Sequence, residues 1–240
     1  MALLDRRVTK SNELIEASYH LSLNESRLLL AAIASLDSRR AMPEDPIRIR
    51  AQDFGEIFGI ETRHAYGVLK EAADALYDRD IRTTGGADIG TDGETTGGAK
   101  RTRWVQQIDY QKKEGYVTLS FTKYVTPYLC MLKSMFTSYE IRNISQFNSI
   151  YAIRLYELTK QYEGIGWRRI GIDVLRDRFE LGDLYPRFSS LKSRVLDPAM
   201  KQINAYSDIT LSYKAEREGK AAVAVYFRIA SNRQELLALE

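Results

Sequence analysis

Short polar and cationic side chains recur at helical spacing between Arg187 and Tyr206, and they have the clearest chemical potential in this chain. Arginine, lysine and serine side chains reach phosphate oxygens and the polar edges of bases. The segment holds four arginine or lysine residues against one aspartate, a local charge of +3 that equals the net charge of the whole chain. The pattern therefore predicts a surface for a polyanion. Its polar face comprises Arg187, Ser190, Ser193, Arg194, Asp197, Lys201 and Asn204, with Lys192 at the border.

An amphipathic helix is the element that would position these side chains. Five apolar residues share one face at a helical period, which predicts a helix with one buried side. Pro198 lies inside this helix and lacks an N–H, so we expect a bend there that tilts Lys201 and Asn204 away. A core helix with a solvated basic face is the alternative interpretation. The apolar residues are Phe188, Leu191, Val195, Ala199 and Ile203.

A β-hairpin is predicted directly after this helix. Alternating apolar residues in 209–213 and 223–229 predict two strands, and Glu218-Gly219 is typical of the turn between them. Arg217 and Lys220 then lie at the hairpin tip. A basic helix followed by such a hairpin is the winged-helix arrangement, in which the helix enters a groove of the duplex and the wing contacts the backbone beside it.

The first half of the chain repeats the element order of the second half. A strand, a short helix, a second helix and a hairpin are predicted in each, and Lys70 aligns with Lys192. The predicted fold is therefore α+β, with two tandem winged-helix domains related as an internal repeat. We place these domains at 1–140 and 141–240. The elements are predicted at 47–49, 51–59, 62–79, 103–110 and 116–121, and again at 169–172, 174–181, 187–206 and 209–229.

Further local signals complete the assignment of elements. Residues 1–10 look loose, Ser22 opens a helix through a capping box, and Thr62 caps the helix after the tight turn. A helix is expected over 147–162. The glycine-rich stretch 85–98 is typical of a flexible loop.

The two helices that precede the hairpins differ in charge. From Arg63 to Arg79 three cations are balanced by three acidic residues, so this helix is neutral, against +3 for its counterpart. We expect the second domain to read bases, while Arg63 and Lys70 give the first domain an auxiliary contact with the DNA backbone.

Composition excludes several classes of protein. The longest apolar run is too short to cross a bilayer, and the N-terminus carries charges where a signal peptide has its apolar core. We therefore expect a cytoplasmic protein with no membrane partner. The single cysteine, Cys130, permits no internal disulfide.

Enzymatic alternatives lack their motifs. The stretch 93–100 resembles a phosphate-binding loop, but Ala99 separates its last glycine from the lysine. A DNA nickase would need clustered histidines for its metal, and only His20 and His64 are present, far apart in sequence. We expect no catalytic residue, no metal and no cofactor.

Four segments carry a more specific signal. They are 8–27, 149–158, Phe136-Thr-Ser-Tyr-Glu-Ile-Arg-Asn143 and Val195-Leu-Asp-Pro-Ala-Met-Lys-Gln-Ile-Asn204. Taken together and in this order, they closely resemble the replication initiator (Rep) proteins of iteron-containing plasmids, over nearly the whole chain.

This resemblance implies binding to double-stranded DNA in two forms. The monomer would bind directly repeated iterons at a plasmid origin, help open the adjacent A·T-rich DNA, and recruit the host replication initiator and the replicative helicase. The homodimer, formed through the first domain, would bind an operator inverted repeat and repress its own gene. Arg187, Ser193 and Arg194 match positions of the family's DNA contacts. The predicted DNA contacts are Arg187, Ser190, Lys192, Ser193, Arg194, Lys201, Arg217, Lys220, Arg63 and Lys70.

Two other functions stay open from the residues alone. A dimeric winged-helix transcriptional repressor without initiator activity would use the same surface. A protein-interaction scaffold would show no salt-dependent DNA binding.

Overall fold

The structure of this protein, a computed structural model, describes residues 3–84 and 99–232. The chain divides into two units, Met1–Ile141 and Arg142–Glu240. Both combine helices with antiparallel strands, so the predicted α+β class is confirmed. The glycine-rich stretch 85–98 lies outside the described residues.

The first unit is built around a helix-turn-helix and a three-stranded sheet. Its elements are β1 (Arg7–Ser11), α1 (Asn12–Glu16), α2 (Leu23–Ala34), β2 (Ile47–Arg50), α3 (Ala51–Phe58), α4 (Thr62–Tyr77), β3 (Asp80–Thr84), β4 (Ala99–Arg103), β5 (Val105–Gln111), β6 (Tyr116–Phe121) and β7 (Phe136–Glu140), with 3₁₀ turns at Leu3–Asp5 and Thr126–Tyr128.

Two glycines make the turn between α3 and α4 possible. Gly59 ends α3 in the left-handed region at φ +66°, and its N–H donates to the Gly55 carbonyl oxygen. A Cβ at Gly55 would lie 2.8 Å from the Ile60 carbonyl oxygen, so only glycine fits this close approach. Glu61, and not the predicted Thr62, is the residue before α4, and it makes no side-chain cap.

The N-terminal segment is more ordered than its sequence indicates. Residues 1–10 were expected to be loose, but β1 pairs antiparallel with β7, from Arg7 opposite Glu140 to Ser11 opposite Phe136. This prediction was wrong because the partner strand is about 130 residues away, and a local pattern carries no signal of it.

The second unit contains the predicted basic helix and hairpin. Its elements are α5 (Arg142–Ser145), α6 (Ile150–Lys160), β8 (Trp167–Gly171), α7 (Ile172–Arg178), α8 (Phe188–Leu191), a π-helical turn (Lys192–Leu196), α9 (Asp197–Tyr206), β9 (Ile209–Glu218) and β10 (Ala221–Ser231). The segment formed by α8, the π turn and α9 is called helix 188–206 below.

Sheet topology confirms the internal repeat. The sheets are ordered β2-β6-β5 and β8-β10-β9, so in both units the last strand is central and pairs antiparallel with the other two. The first strand of each sheet leads into a short helix, and the other two strands form the wing. The apolar register is alike, with Ile49 opposite Val117 in the first sheet and Ile170 opposite Val225 in the second.

A π-helical turn lies just before Pro198, where the sequence predicted a bend. The Asp197 N–H donates to the Lys192 carbonyl oxygen, five residues earlier, and Pro198 follows at the second position of α9. In a regular α-helix the proline ring would clash with the carbonyl group four residues before it. The wider π turn just ahead of the proline relieves that clash, and the helix continues to Tyr206.

Candidate nucleic-acid interface

Helix 188–206 is anchored by its apolar side, as the sequence predicted. Leu191, Val195, Ala199 and Ile203 are at most 1% exposed, while Phe188 is partly exposed. The helix packs against α6 and the wing strand β9. The opposite side of the helix is therefore presented to solvent.

Three exposed cations next to or on this helix form no ion pair with any residue that the structure describes. Arg187, Arg194 and Lys201 are all exposed, and within 3–84 and 99–232 none of them forms an ion pair. Arg187 is the residue before the first helical turn. Of the two predicted serines, Ser193 is exposed and Ser190 is partly buried. These side chains can reach phosphates and base edges without first giving up an internal ion pair.

The tip of the second wing carries two more of the predicted cations. The hairpin turns at Gly219 and Lys220, one residue later than expected, because β9 extends through Glu218. The Arg217 guanidinium donates to the Lys220 carbonyl oxygen at 2.9 Å and lies 5.9 Å from the centre of the Phe188 ring. Arg217 thus rests against the start of helix 188–206, while Lys220 is exposed at the tip.

A groove of about 760 Å³ lies between helix 188–206 and β9. Lys192, Asp197 and Tyr213 are among the residues that line it. Lys192 Nζ donates to Asp197 Oδ2 at 2.6 Å, and the Tyr213 hydroxyl donates to Asp197 Oδ1 at 2.7 Å. Partial burial raises the pKa of Asp197, but the two hydrogen bonds outweigh it, so this pKa lies below its usual 3.8. Burial and the bond to Asp197 raise the pKa of Tyr213. Lys192, predicted to contact phosphate, is exposed and forms an ion pair with Asp197.

Asn204 links the end of helix 188–206 to the first strand of the wing. Its side-chain amide donates to the Leu211 carbonyl oxygen at 2.9 Å, and its amide oxygen accepts the Leu211 N–H at 2.7 Å. The sequence placed Asn204 on the polar face, where it is exposed, and these two bonds connect it to the wing strand.

In the first unit, both predicted DNA contacts are neutralised by acidic partners. Arg63 Nε donates to Glu61 at 2.7 Å, and Lys70 Nζ donates to Asp74 at 2.6 Å. Both predicted contacts are exposed but ion-paired.

The tip of the first wing carries two cations that sequence reasoning did not select. Lys112 and Lys113 are exposed in the turn between β5 and β6, and neither forms an ion pair among the described residues. They correspond to the tip of the second wing, where Lys220 lies. The alignment of the two hairpin turns was the signal that could have identified them.

Other kinds of site are not seen in the described parts of the chain. Between residues 3 and 84 and between 99 and 232, no group of histidine, cysteine and acidic side chains could hold a metal ion. Across the same residues, none of the helices has the length and apolar character needed to span a lipid bilayer. Cys130 is buried.

The fold and this surface define a class of protein with two tandem winged-helix domains, each presenting a helix and a wing. Within that class, the chain belongs to the initiator replication protein family. The family model "Initiator Replication protein, WH1" matches residues 7–160, and "Initiator Rep protein, WH2" matches residues 171–229. The WH1 match includes α6, which here packs against α9 and β10.

Known proteins similar to this chain agree with that assignment. The chain is 26% identical to a "Replication initiation protein" of Escherichia coli, over 97% of this chain and 72% of the relative. It is 25% identical to the PI protein of Escherichia coli, over 95% of this chain and 84% of that protein. The crystal structure of Pi initiator protein in complex with iteron DNA has a TM-score of 0.79 at 24% identity, covering 94% of this chain and 97% of the other, and shows the shared fold.

Proposed function

We propose that this chain is a plasmid replication initiator that binds iterons, the directly repeated sites of its origin, in a sequence-specific manner and without catalysis. Membership of the initiator replication family supports the initiator role, and a similarly folded protein has been crystallised in complex with iteron DNA. The observation that carries the proposal is the exposed row of Arg187, Arg194 and Lys201 beside the tip of the second wing.

In this proposal the second domain, 141–240, supplies most of the base reading. Arg187 and Arg194 contact guanine, since a guanidinium can donate two hydrogen bonds to one guanine edge. Ser190, Ser193 and Lys201 complete the helix contacts, and Arg217 and Lys220 hold phosphates beside the groove. The first domain, 1–140, adds weaker backbone contacts and mediates dimerisation.

The remaining steps of initiation follow from the same proposal. The bound monomer helps to open origin DNA next to the iterons and recruits the host replication initiator and the replicative helicase. The homodimer binds an operator inverted repeat and represses the protein's own gene. These roles rest on the family resemblance.

Nuclease footprinting on the DNA that flanks the chain's own gene tests this function. An initiator protects several directly repeated segments at low protein concentration. Protection of one inverted repeat alone would identify a dimeric repressor without initiator activity. Absence of any salt-sensitive protection would contradict DNA binding altogether. A fragment of equal length from within the gene is the matched control.

A further inference from the structure

A cluster of one lysine, one aspartate and one tyrosine joins the helix to the wing in the second unit. Lys192 and Tyr213 donate to different oxygens of Asp197, at 2.6 and 2.7 Å, and the Lys192 ammonium lies 5.8 Å from the centre of the Tyr213 ring. Lys192 and Asp197 belong to helix 188–206, whereas Tyr213 belongs to β9. The cluster therefore links the helix to the first strand of its wing.

The first unit contains the same cluster. Lys70 Nζ donates to Asp74 Oδ2 at 2.6 Å, the Tyr110 hydroxyl donates to Asp74 Oδ1, and the Lys70 ammonium lies 5.0 Å from the centre of the Tyr110 ring. Lys70 and Asp74 lie on α4, and Tyr110 lies on β5, the first strand of that wing. Each bond has its counterpart in the second unit, atom for atom.

The two clusters are built on different helical spacings. Lys70 and Asp74 are four residues apart, and side chains at this spacing are neighbours on an α-helix. Lys192 and Asp197 are five residues apart, and at this spacing an α-helix would turn them away from each other. The π turn absorbs the additional residue, because its backbone bond runs from Asp197 N–H to the Lys192 carbonyl oxygen.

The contribution of this contact to folding stability does not explain why both units contain it. About half of the Lys192 and Asp197 side-chain surface is exposed, at 50% and 42%, and the values for Lys70 and Asp74 are 48% and 47%. Ion pairs in such surroundings add little to the free energy of folding. What the contact does fix is the position of the wing relative to the helix, and both of these face the proposed DNA.

We propose that the Lys–Asp–Tyr cluster is a positioning device that sets the wing at the correct distance from the base-reading helix. The inference rests on the proposed function of this surface. Tyr213 lies on the strand that ends next to the wing tip, so a wing that moves shifts Arg217 and Lys220 relative to Arg194. In this proposal Lys192 acts on Asp197, whereas the sequence pattern predicted a phosphate contact.

Tyr213→Phe tests the device with the smallest change. The variant keeps the ring, which packs at 5.9 Å from Phe227, and removes only the hydroxyl. We expect affinity for the footprinted DNA to fall about three- to tenfold, as for the loss of one ordinary, partly exposed hydrogen bond. Affinity for unrelated DNA and the salt dependence stay unchanged, because no cation is lost. Tyr226→Phe, the same change on the neighbouring strand β10, is the matched control and should bind as the original protein does.

Lys192→Ala separates positioning from direct contact. A positioning lysine leaves the slope of log affinity against log salt unchanged when it is removed. A phosphate contact would lower that slope by about 0.9, and this result would overturn the inference. Circular dichroism shows whether Tyr213→Phe is folded at the assay temperature. If it is unfolded, the slope of log affinity against log salt in Lys192→Ala becomes the deciding measurement.

The outcomes distinguish this inference from the proposed function. If the original protein shows no preference for the flanking DNA, the proposed function fails. If it shows that preference and Tyr213→Phe binds as well as Tyr226→Phe does, only the positioning role fails. Equal losses of affinity for footprinted and unrelated DNA in Tyr213→Phe would also contradict positioning.

Discussion

Asn204 and Leu211 are joined by two hydrogen bonds, one from the Asn204 amide to the Leu211 carbonyl oxygen and one from the Leu211 N–H to the amide oxygen. The bonds connect the last turn of helix 188–206 to the first residues of β9. They thus define the angle at which the chain leaves the helix and enters the wing, and the Lys–Asp–Tyr cluster makes a second connection between the same two elements.

Asn204→Ala should destabilise the second unit, because both backbone groups of Leu211 lose their partner. We expect a loss of about 1–3 kcal/mol in the free energy of unfolding. Urea unfolding followed by circular dichroism measures it. Lys201→Ala, which changes an exposed residue on the same helix, is the control and should leave the free energy of unfolding nearly unchanged. Equal stability of the two variants would show that the Asn204 bonds contribute nothing.

Glu25→Gln should destabilise the first unit. The Glu25 carboxylate is almost fully buried, accepts two N–H groups from Arg79 at 3.0 Å each, and accepts the Ser22 N–H at 2.9 Å in the capping box of α2. Removing its charge weakens the two charge-assisted hydrogen bonds from Arg79, for which we expect a loss of about 1–3 kcal/mol.

Thermal or urea unfolding of Glu25→Gln beside Glu71→Gln provides the comparison. Glu71 is exposed on α4, so its substitution changes the net charge equally without touching a buried pair. Similar unfolding midpoints for the two variants would contradict a structural role for Glu25.

The cluster of the first unit should make stability depend on acid pH. The hydrogen bonds from Lys70 and Tyr110 hold the pKa of Asp74 below its usual 3.8. Because the pKa in the folded state is depressed, the stabilisation is complete above about pH 4 and is lost as the pH falls through the folded-state value. Asp74→Asn should therefore lose less stability than the original protein between about pH 4 and about pH 2.

The measurement is the free energy of unfolding across that acid range. Asp45→Asn, in the exposed loop before β2, serves as the control and should follow the original protein. An acid profile of Asp74→Asn that coincides with the original would show that Asp74 has no part in the pH dependence.

Local signals predicted the local features well. The capping box at Ser22 is present as expected, with Glu25 completing it, because both halves of that motif lie within four residues. The buried stripe of helix 188–206 and the repeat of helix, helix and wing follow from apolar periodicity, which burial enforces in any fold.

Features that depend on distant partners could not be predicted. The pairing of β1 with β7, the short strand β4 opposite β3, and the bonds of Asn204 to Leu211 all join segments whose own sequences do not specify a partner. The π turn shows a related difficulty. Pro198 predicted a bend in the helix, but the sequence did not indicate that the backbone would widen into a π turn.

The wing tip should contribute affinity without specificity. Lys220→Ala should weaken binding to all DNA sequences alike and lower the slope of log affinity against log salt by about 0.9. Lys214→Ala removes an exposed charge from the same hairpin, on the side of β9 opposite to buried Leu211, and should leave the slope unchanged. A loss confined to the footprinted DNA would instead assign Lys220 to base reading.

The central claim is that Arg187 and Arg194 read bases from an exposed helix, and charge-conserving substitution tests it most directly. Lysine keeps the positive charge but cannot form the two-pronged hydrogen bond of a guanidinium. The measurement is the ratio of affinities for footprinted and unrelated DNA in the variant carrying Arg187→Lys and Arg194→Lys. We predict that this ratio falls by about tenfold or more while affinity for unrelated DNA and the salt slope are retained; an unchanged ratio would contradict the account.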